Sequence, residues 1–230
     1  MTPSPRALPP QGTLILLALT AALLFFRLGS LPLLGPDEPR YARVAVEMAR
    51  SGDFVTPTLQ GQPWLEKPAL YYWLAAGAFR TLGENEMAAR LPSLLAMLLL
   101  VGVTALVGAR LYSGRAGLHA GFVLATSLLA FAYGHAASMD MLLAATMTAG
   151  VGLIALRVLG IAGRLAVPVA CVFLGLATLA KGPLGFLLPG LVVVGFLLAT
   201  RDWPLLRPLV SPWGLLLFLL VAGPWYWAVY

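Results

Sequence analysis

Residues 116–156 read AGLHAGFVLATSLLAFAYGHAASMDMLLAATMTAGVGLIAL, 41 residues with a single charge, Asp140. A membrane-spanning helix needs about 20 predominantly apolar residues, so this stretch holds two of them, divided at the aspartate. An aspartate costs roughly 2.5–3.5 kcal/mol at the centre of such a helix and less at its end. Asp140 therefore belongs at the turn between two spans, or lines a polar site there.

Working outward, the same pattern recurs along the chain. Segments free of Asp, Glu, Lys and Arg cover 7–26, 91–109, 116–139, 141–156, 165–180, 182–200 and 208–230. The chain is 60% hydrophobic and 10% charged, where a soluble domain carries roughly 25% charged residues. The sequence thus predicts an all-α integral membrane protein, a polytopic helical bundle of seven spans. The two segments of 16 residues reach that length only if flanking arginines snorkel or the helix runs past its bounding charge. Arg6 followed by an apolar run resembles a secretory signal, but the run continues through Arg27 to Leu34 without a small-residue cleavage site, so an uncleaved first helix is expected. Residues 1–11, rich in proline, are expected to form a disordered cytoplasmic tail, and 12–230 the membrane module.

Charge fixes the orientation. The short loops Arg110–Arg115, Arg157–Arg164 and Arg201–Arg207 carry six arginines against one acid, Asp202. With Arg6 they belong on the cytoplasmic side by the positive-inside rule. Counting spans then puts the 32–90 loop outside, together with Asp140 and Lys181. The net charge of +6 does not indicate nucleic acid, because the arginines sit singly between apolar segments. The one cysteine, Cys171, lies inside an apolar segment and can form no intrachain disulfide.

The 32–90 loop holds most of the remaining chemistry. Asp37 is placed to cap a helix that runs to about Arg50, with Pro39 in its first turn, an Arg43–Glu47 i,i+4 pair, and Ser51-Gly52 as its stop. A second helix from Pro68 to Leu82 is rich in Tyr and Trp and too short to span, which suits a helix lying in the membrane interface. Asp37 and Glu38 read either as helix-terminal acids, favoured there by about 0.3–1 kcal/mol, or as catalytic carboxylates. Glu66-Lys67-Pro68 is a solvated turn or a phosphate contact, since a cation near lipid headgroups attracts phosphates. Lys181-Gly182-Pro183 breaks the apolar run 165–200 in the same way that Asp140 breaks its own. His119 and His135 are too isolated for a metal site, and there is no Gly-rich phosphate loop, HExxH or Gly-x-Ser-x-Gly.

Taken in order, Asp37-Glu38-Pro39-Arg40-Tyr41, Glu47-Met48, Ser51-Gly52-Asp53, Glu66-Lys67-Pro68 and Leu70-Tyr71-Tyr72-Trp73-Leu74 resemble a known family. The likeness continues through Ala136-Ala137-Ser138-Met139-Asp140, Ala180-Lys181-Gly182-Pro183 and Pro224-Trp225-Tyr226. The family is that of the bacterial aminoarabinose transferases and protein-mannosyltransferase-like enzymes, membrane glycosyltransferases of the GT-C fold. The resemblance implies transfer of a sugar, with inversion, from a polyprenyl-phosphate carrier to lipid A or another envelope acceptor, on the periplasmic face of the bacterial inner membrane. It implies a catalytic set of Asp37, Glu38 and Asp140, with Asp37 as base. Arg40, Tyr41, Glu66, Lys67 and Lys181 are the implied substrate-binding residues, Lys67 reaching the lipid phosphate. Some relatives hold a metal near the residue matching Glu66; no second ligand is nameable here, so a divalent metal stays unassigned. A protein acceptor is the near alternative. A multispan transporter is the alternative from another class, although transporters tend to place their charges at the midplane. A non-catalytic assembly subunit is a third. Relatives run to about twice this length, so the chain is expected to be truncated at its C-terminus and its site incomplete by itself.

Overall fold

The structure, a computed structural model, describes residues 7–229. Ten helices and one short hairpin follow in order: α1 Pro10–Phe25, α2 Asp37–Ser51, β1 Thr58–Leu59, β2 Gln62–Pro63, α3 Leu70–Leu82, α4 Glu86–Leu111, α5 Gly114–Ala125, α6 Leu128–Gly134, α7 Met139–Val158, α8 Ala166–Lys181, α9 Leu184–Thr200 and α10 Pro212–Val229. A 3-10 stretch, Trp203–Leu209, precedes α10. Of the expected tail, residues 1–6 lie outside the described residues, and Pro10 already opens α1.

Each apolar segment forms a helix. Among the described residues α4, α7 and α10 are long and apolar enough to cross a membrane, and α5 with α6 makes a fourth if the pair is one span. The helices α1, α8 and α9 are apolar but have 16, 16 and 17 residues. Two details differ from expectation. The segment 116–139 is bent by 66° at the break between α5 and α6. The segment 91–109 extends past both bounding charges because Asn85 caps it, accepting the Ala88 amide at 2.9 Å, so the helix starts outside the apolar run.

The bundle is antiparallel and its charges sort by end. Ala7 and Pro9 pack against Gly114, which sets the start of α1 beside the start of α5. That end also holds Arg110, Arg115, Arg157, Arg164, Arg201 and Arg207, at the junctions between helices. The opposite end carries α2, the hairpin and α3.

These two loop helices pack against each other. The apolar side of α2 buries Tyr41, Val44, Ala45 and Met48 against α3, whose Tyr71 and Tyr72 are fully buried. The three tyrosine rings meet edge-on or tilted, with centroids 5.9–6.4 Å apart, a favoured aromatic geometry. Tyr71 also donates its hydroxyl to the Ala89 carbonyl at 2.8 Å, tying α3 to α4. Two of the aromatics in the Tyr- and Trp-rich run, Tyr71 and Tyr72, thus form the core of the loop. Its exposed apolar side is narrower, Leu74 and Leu82.

Between α2 and α3 the chain makes a hairpin that the sequence reading did not foresee. Thr58 pairs with Pro63 and Leu59 with Gln62. The two turn residues, Gln60 and Gly61, have φ of +54° and +76°. Two positive φ values in a two-residue loop match the right-handed twist of the strands, and glycine adopts one without strain.

Candidate active site

The end that carries α2 and α3 is organised around one buried ion pair. Glu38 and Arg90, 52 residues apart, have side chains only 9% and 4% exposed. Arg90 donates from Nε to Glu38 Oε1 at 3.1 Å and from Nη2 to Oε2 at 3.0 Å. Its other three N–H groups go to the carbonyls of Leu28 and Leu31 from Nη1 and of Pro32 from Nη2, at 2.8–2.9 Å. Glu38 also accepts the amides of Leu34 at 2.7 Å and Ala137 at 2.5 Å. A guanidinium has five donors and a carboxylate about four acceptor sites, so both groups are fully used. Burial works to raise the Glu38 carboxyl, but Arg90 and the two amides outweigh it and hold the group below the ordinary glutamate range. This closed network joins the α1–α2 connection, α2, α4 and the connection before α7.

The neighbouring residue faces the other way. Asp37 is the first residue of α2 and does not cap it; Pro36 holds the cap position, where no side chain caps the helix. The Asp37 carboxylate is 61% exposed and pairs with Arg40 one turn on. Arg40 lies over the rings of Tyr41 and Trp64, at 5.4 and 5.5 Å from their centroids, within cation–π range. Its guanidinium is held above its usual value, first by the Tyr41 hydroxyl and then by the charges of Glu66 and Asp37. Glu66 and Lys67 pair at 3.2 Å on the strand-to-α3 connection. Asp37, Arg40, Tyr41 and Glu66 thus share one neighbourhood, lined by Trp64 and Tyr72. The buried Arg40 Nε, Trp64 Nε1 and Tyr72 hydroxyl make no hydrogen bond there.

Asp140 and Lys181 form the second cluster, an ion pair that ties the start of α7 to the end of α8. Ser138 caps α7, accepting the Asp140 amide and donating to Asp140 Oδ2, both at 3.1 Å. Ser93 Oγ donates to the Ser138 carbonyl at 2.9 Å and accepts its amide at 3.0 Å. Among the described residues no ion pair or hydrogen bond joins this cluster to Asp37 directly. The link is Glu38, whose bond to Ala137 sits three residues before Asp140. Among the described residues no group of three or more His, Cys, Asp or Glu comes together for a metal.

Sequence reasoning passed over several of these parts. Arg90 read as the edge of an apolar segment, although an arginine at the end of a span invites a search for its acid. Glu47 read as the partner of Arg43, and that pair is present at 2.9 Å. The same carboxylate also accepts from Thr58, Gln60 and Gly61. The tryptophans Trp73 and Trp225 donate to the Phe54 and Val55 carbonyls at 2.6 and 2.9 Å, fastening the loop to α3 and α10.

These observations define a class: an all-α polytopic membrane protein with a folded, ion-paired loop assembly on one end of its bundle. The family model of dolichyl-phosphate-mannose-protein mannosyltransferases matches residues 66–227, and the chain belongs to that family. It is 31% identical over 222 residues to the undecaprenyl phosphate-alpha-4-amino-4-deoxy-L-arabinose arabinosyl transferase of Edwardsiella ictaluri, covering 91% of this chain and 40% of that one. The Pseudomonas aeruginosa (strain UCBPP-PA14) enzyme of the same name is 34% identical over 203 residues, covering 85% and 36%. The crystal structure of ArnT from Cupriavidus metallidurans bound to undecaprenyl phosphate superposes with a TM-score of 0.90 at 32% identity, over 96% of this chain and 42% of that one. The chain spans about two fifths of the length of these relatives, and it has their GT-C membrane fold over that length.

Proposed function

We propose that the chain is the donor-side module of an inverting glycosyltransferase that moves a sugar from a polyprenyl-phosphate carrier to lipid A or another envelope acceptor. The observation that carries this reading is the exposed Asp37 carboxylate beside Arg40, on a helix whose adjacent Glu38 is locked inside the fold. Asp37 is the base and Glu38 holds it in place. The acceptor hydroxyl attacks the anomeric carbon and gives its proton to Asp37 while the bond to the phosphate oxygen breaks. Polyprenyl phosphate leaves as a stable anion, so no acid is needed; Lys67, Arg40 and Lys181 offset the charge that develops on it. A glycosidase, by contrast, must protonate its leaving alkoxide. Asp140 orients Lys181 and lines the cavity.

The seven helical segments act as seven spans, and the arginine-tipped end faces the cytoplasm by the positive-inside rule. That places the Asp37 site in the periplasm. Residues 32–90 are the catalytic loop of a membrane module that begins near residue 12. The names of the curated relatives support undecaprenyl phosphate as carrier and an aminoarabinose as sugar. The family description, naming a protein mannosyltransferase, favours a protein acceptor as the second reading.

The test is to incubate the purified chain with polyprenyl-phosphate sugars and follow release of polyprenyl phosphate and glycosylated lipid A by mass spectrometry. Asp37→Asn is expected to lower turnover by roughly 10²–10⁴-fold while leaving the melting temperature unchanged. Near-normal turnover in that variant sinks the base assignment.

A further inference from the structure

We infer that Glu47 is a positioning residue: its carboxylate clamps the hairpin arm onto α2 and thereby sets where Lys67 stands relative to Asp37. The inference rests on the donor-binding reading above.

Four donors converge on this one side chain. Arg43 Nε and Gln60 N reach Oε1 at 2.9 Å, while Thr58 Oγ1 and Gly61 N reach Oε2 at 2.9 and 3.1 Å. The side chain is 15% exposed. Burial pushes the carboxyl up, but the Gly61 amide, Arg43, the Gln60 amide and the Thr58 hydroxyl together hold it below the ordinary glutamate range, so it is ionised at neutral pH. A surface i,i+4 ion pair needs only Arg43. Three of the four donors come instead from the hairpin, two of them backbone amides at its turn.

The arm is anchored separately at its root. Trp73 and Trp225 hold the Phe54 and Val55 carbonyls, and the Trp64 amide donates to the Pro57 carbonyl at 2.7 Å. Between those points lie two strands of two residues each, and a hairpin that short is marginal in water on its own. Its tip is held by Glu47. The chain leaving the second strand runs through Trp64, on which Arg40 rests, and then Glu66 and Lys67. Asp37 and Arg40 are on α2 with Glu47, so one rigid helix holds the base at its start and the arm's anchor at its tenth following residue. Freeing the tip moves Lys67 against Asp37 without unfolding either helix.

The experiment measures binding of undecaprenyl phosphate, without sugar, to the purified chain in nanodiscs by native mass spectrometry. Amide exchange at Gln60 and Gly61 is followed in parallel. Glu47→Gln is expected to weaken binding about five- to tenfold, the size of one lost hydrogen bond, and to speed exchange at both amides. Arg43→Ala, which leaves the three hairpin donors in place, is expected to change affinity by less than about twofold. The decisive comparison is made in a Lys67→Ala background, where Glu47→Gln should add nothing, because it acts through Lys67. Should Glu47→Gln fail to fold, Thr58→Val removes one hairpin donor and leaves α2 intact; its loss should be about twofold and again vanish with Lys67→Ala. Equal losses with and without Lys67 overturn the positioning role, as does unchanged affinity in Glu47→Gln. Absence of binding by the unmutated chain overturns the donor reading itself, and the inference with it.

Discussion

The two ends of the bundle are built on opposite electrostatic plans. Among the described residues all six ion pairs lie at the end that carries the loop assembly: Arg40–Asp37, Arg43–Glu47, Arg50–Glu84, Lys67–Glu66, Arg90–Glu38 and Lys181–Asp140. None involves the arginines at the other end, where Arg157 reaches only the Ala162 carbonyl, at 3.5 Å. An apolar crevice of about 520 Å³, lined by Val107, Met147, Val151, Leu188 and Val192 among others, opens in the half of the bundle towards those arginines. Charge of one sign, unpaired, marks orientation and anchors helix ends in water and headgroups. Paired and hydrogen-bonded charge builds a polar scaffold instead. One end of this protein is addressed to the membrane and the other is assembled.

The contrast is broken most severely at its buried centre. Arg90→Leu leaves Glu38 buried without a counter-charge, and losing one partner of a buried pair costs about 3–5 kcal/mol. The chain should fall out of its detergent-stable state in thermal unfolding, and a melting temperature within a few degrees of the original would contradict the hub. Acid should attack the same point. Because the Glu38 and Glu47 carboxyls are depressed in the folded protein, their contribution is complete above the unfolded glutamate value, about 4.3. It is lost as pH falls through the lower folded values. A melting series from pH 7 to pH 3 should therefore be flat and then fall, and Glu38→Gln should flatten the acid limb.

Milder changes sharpen the comparison. Trp225→Phe keeps an aromatic ring but loses volume and the donor to Val55, with an expected loss of at least about 1 kcal/mol in chemical denaturation. At the other end, Arg110→Gln removes a charge with no ion-pair partner among the described residues and should stay within about 0.5 kcal/mol. A loss there equal to that of Trp225→Phe would mean that the unpaired end is also assembled.

How much of this was legible in the sequence follows from the range of each interaction. Gaps between charges located every long helix, because the cost of burying a charge in lipid is a local rule. The stop of α2 at Gly52 and the Arg43–Glu47 pair were legible for the same reason, since both depend on residues within one turn. The bend between α5 and α6 was not: Thr126 and Ser127 disturb an apolar count too little to register. The hairpin was hidden because its turn is Gln60-Gly61, and the stability of its tip comes from a glutamate 13 residues upstream. Asp37 and Glu38 looked alike as adjacent acids. Only tertiary structure separates them, since Arg90 and the Ala137 amide arrive from 52 and 99 residues away. Lys181 and Asp140 were each singled out, but their pairing required α7 and α8 to be placed side by side.

The turn that presents the half-buried Lys181 is stiff. At Gly185 a Cβ would lie 2.3 Å from the Ala177 carbonyl carbon and the Thr178 amide, so the backbones of α8 and α9 touch just behind the lysine. Glycine is required by that closeness, and the lysine at the tip inherits the rigidity of two helices. In the role proposed for Lys181, the backbone beneath the cation has little to rearrange when it meets an anion. On the proposed reading its charge is engaged by Asp140 until an anion competes, so the cost of engaging one lies in exchanging that partner and not in moving the backbone.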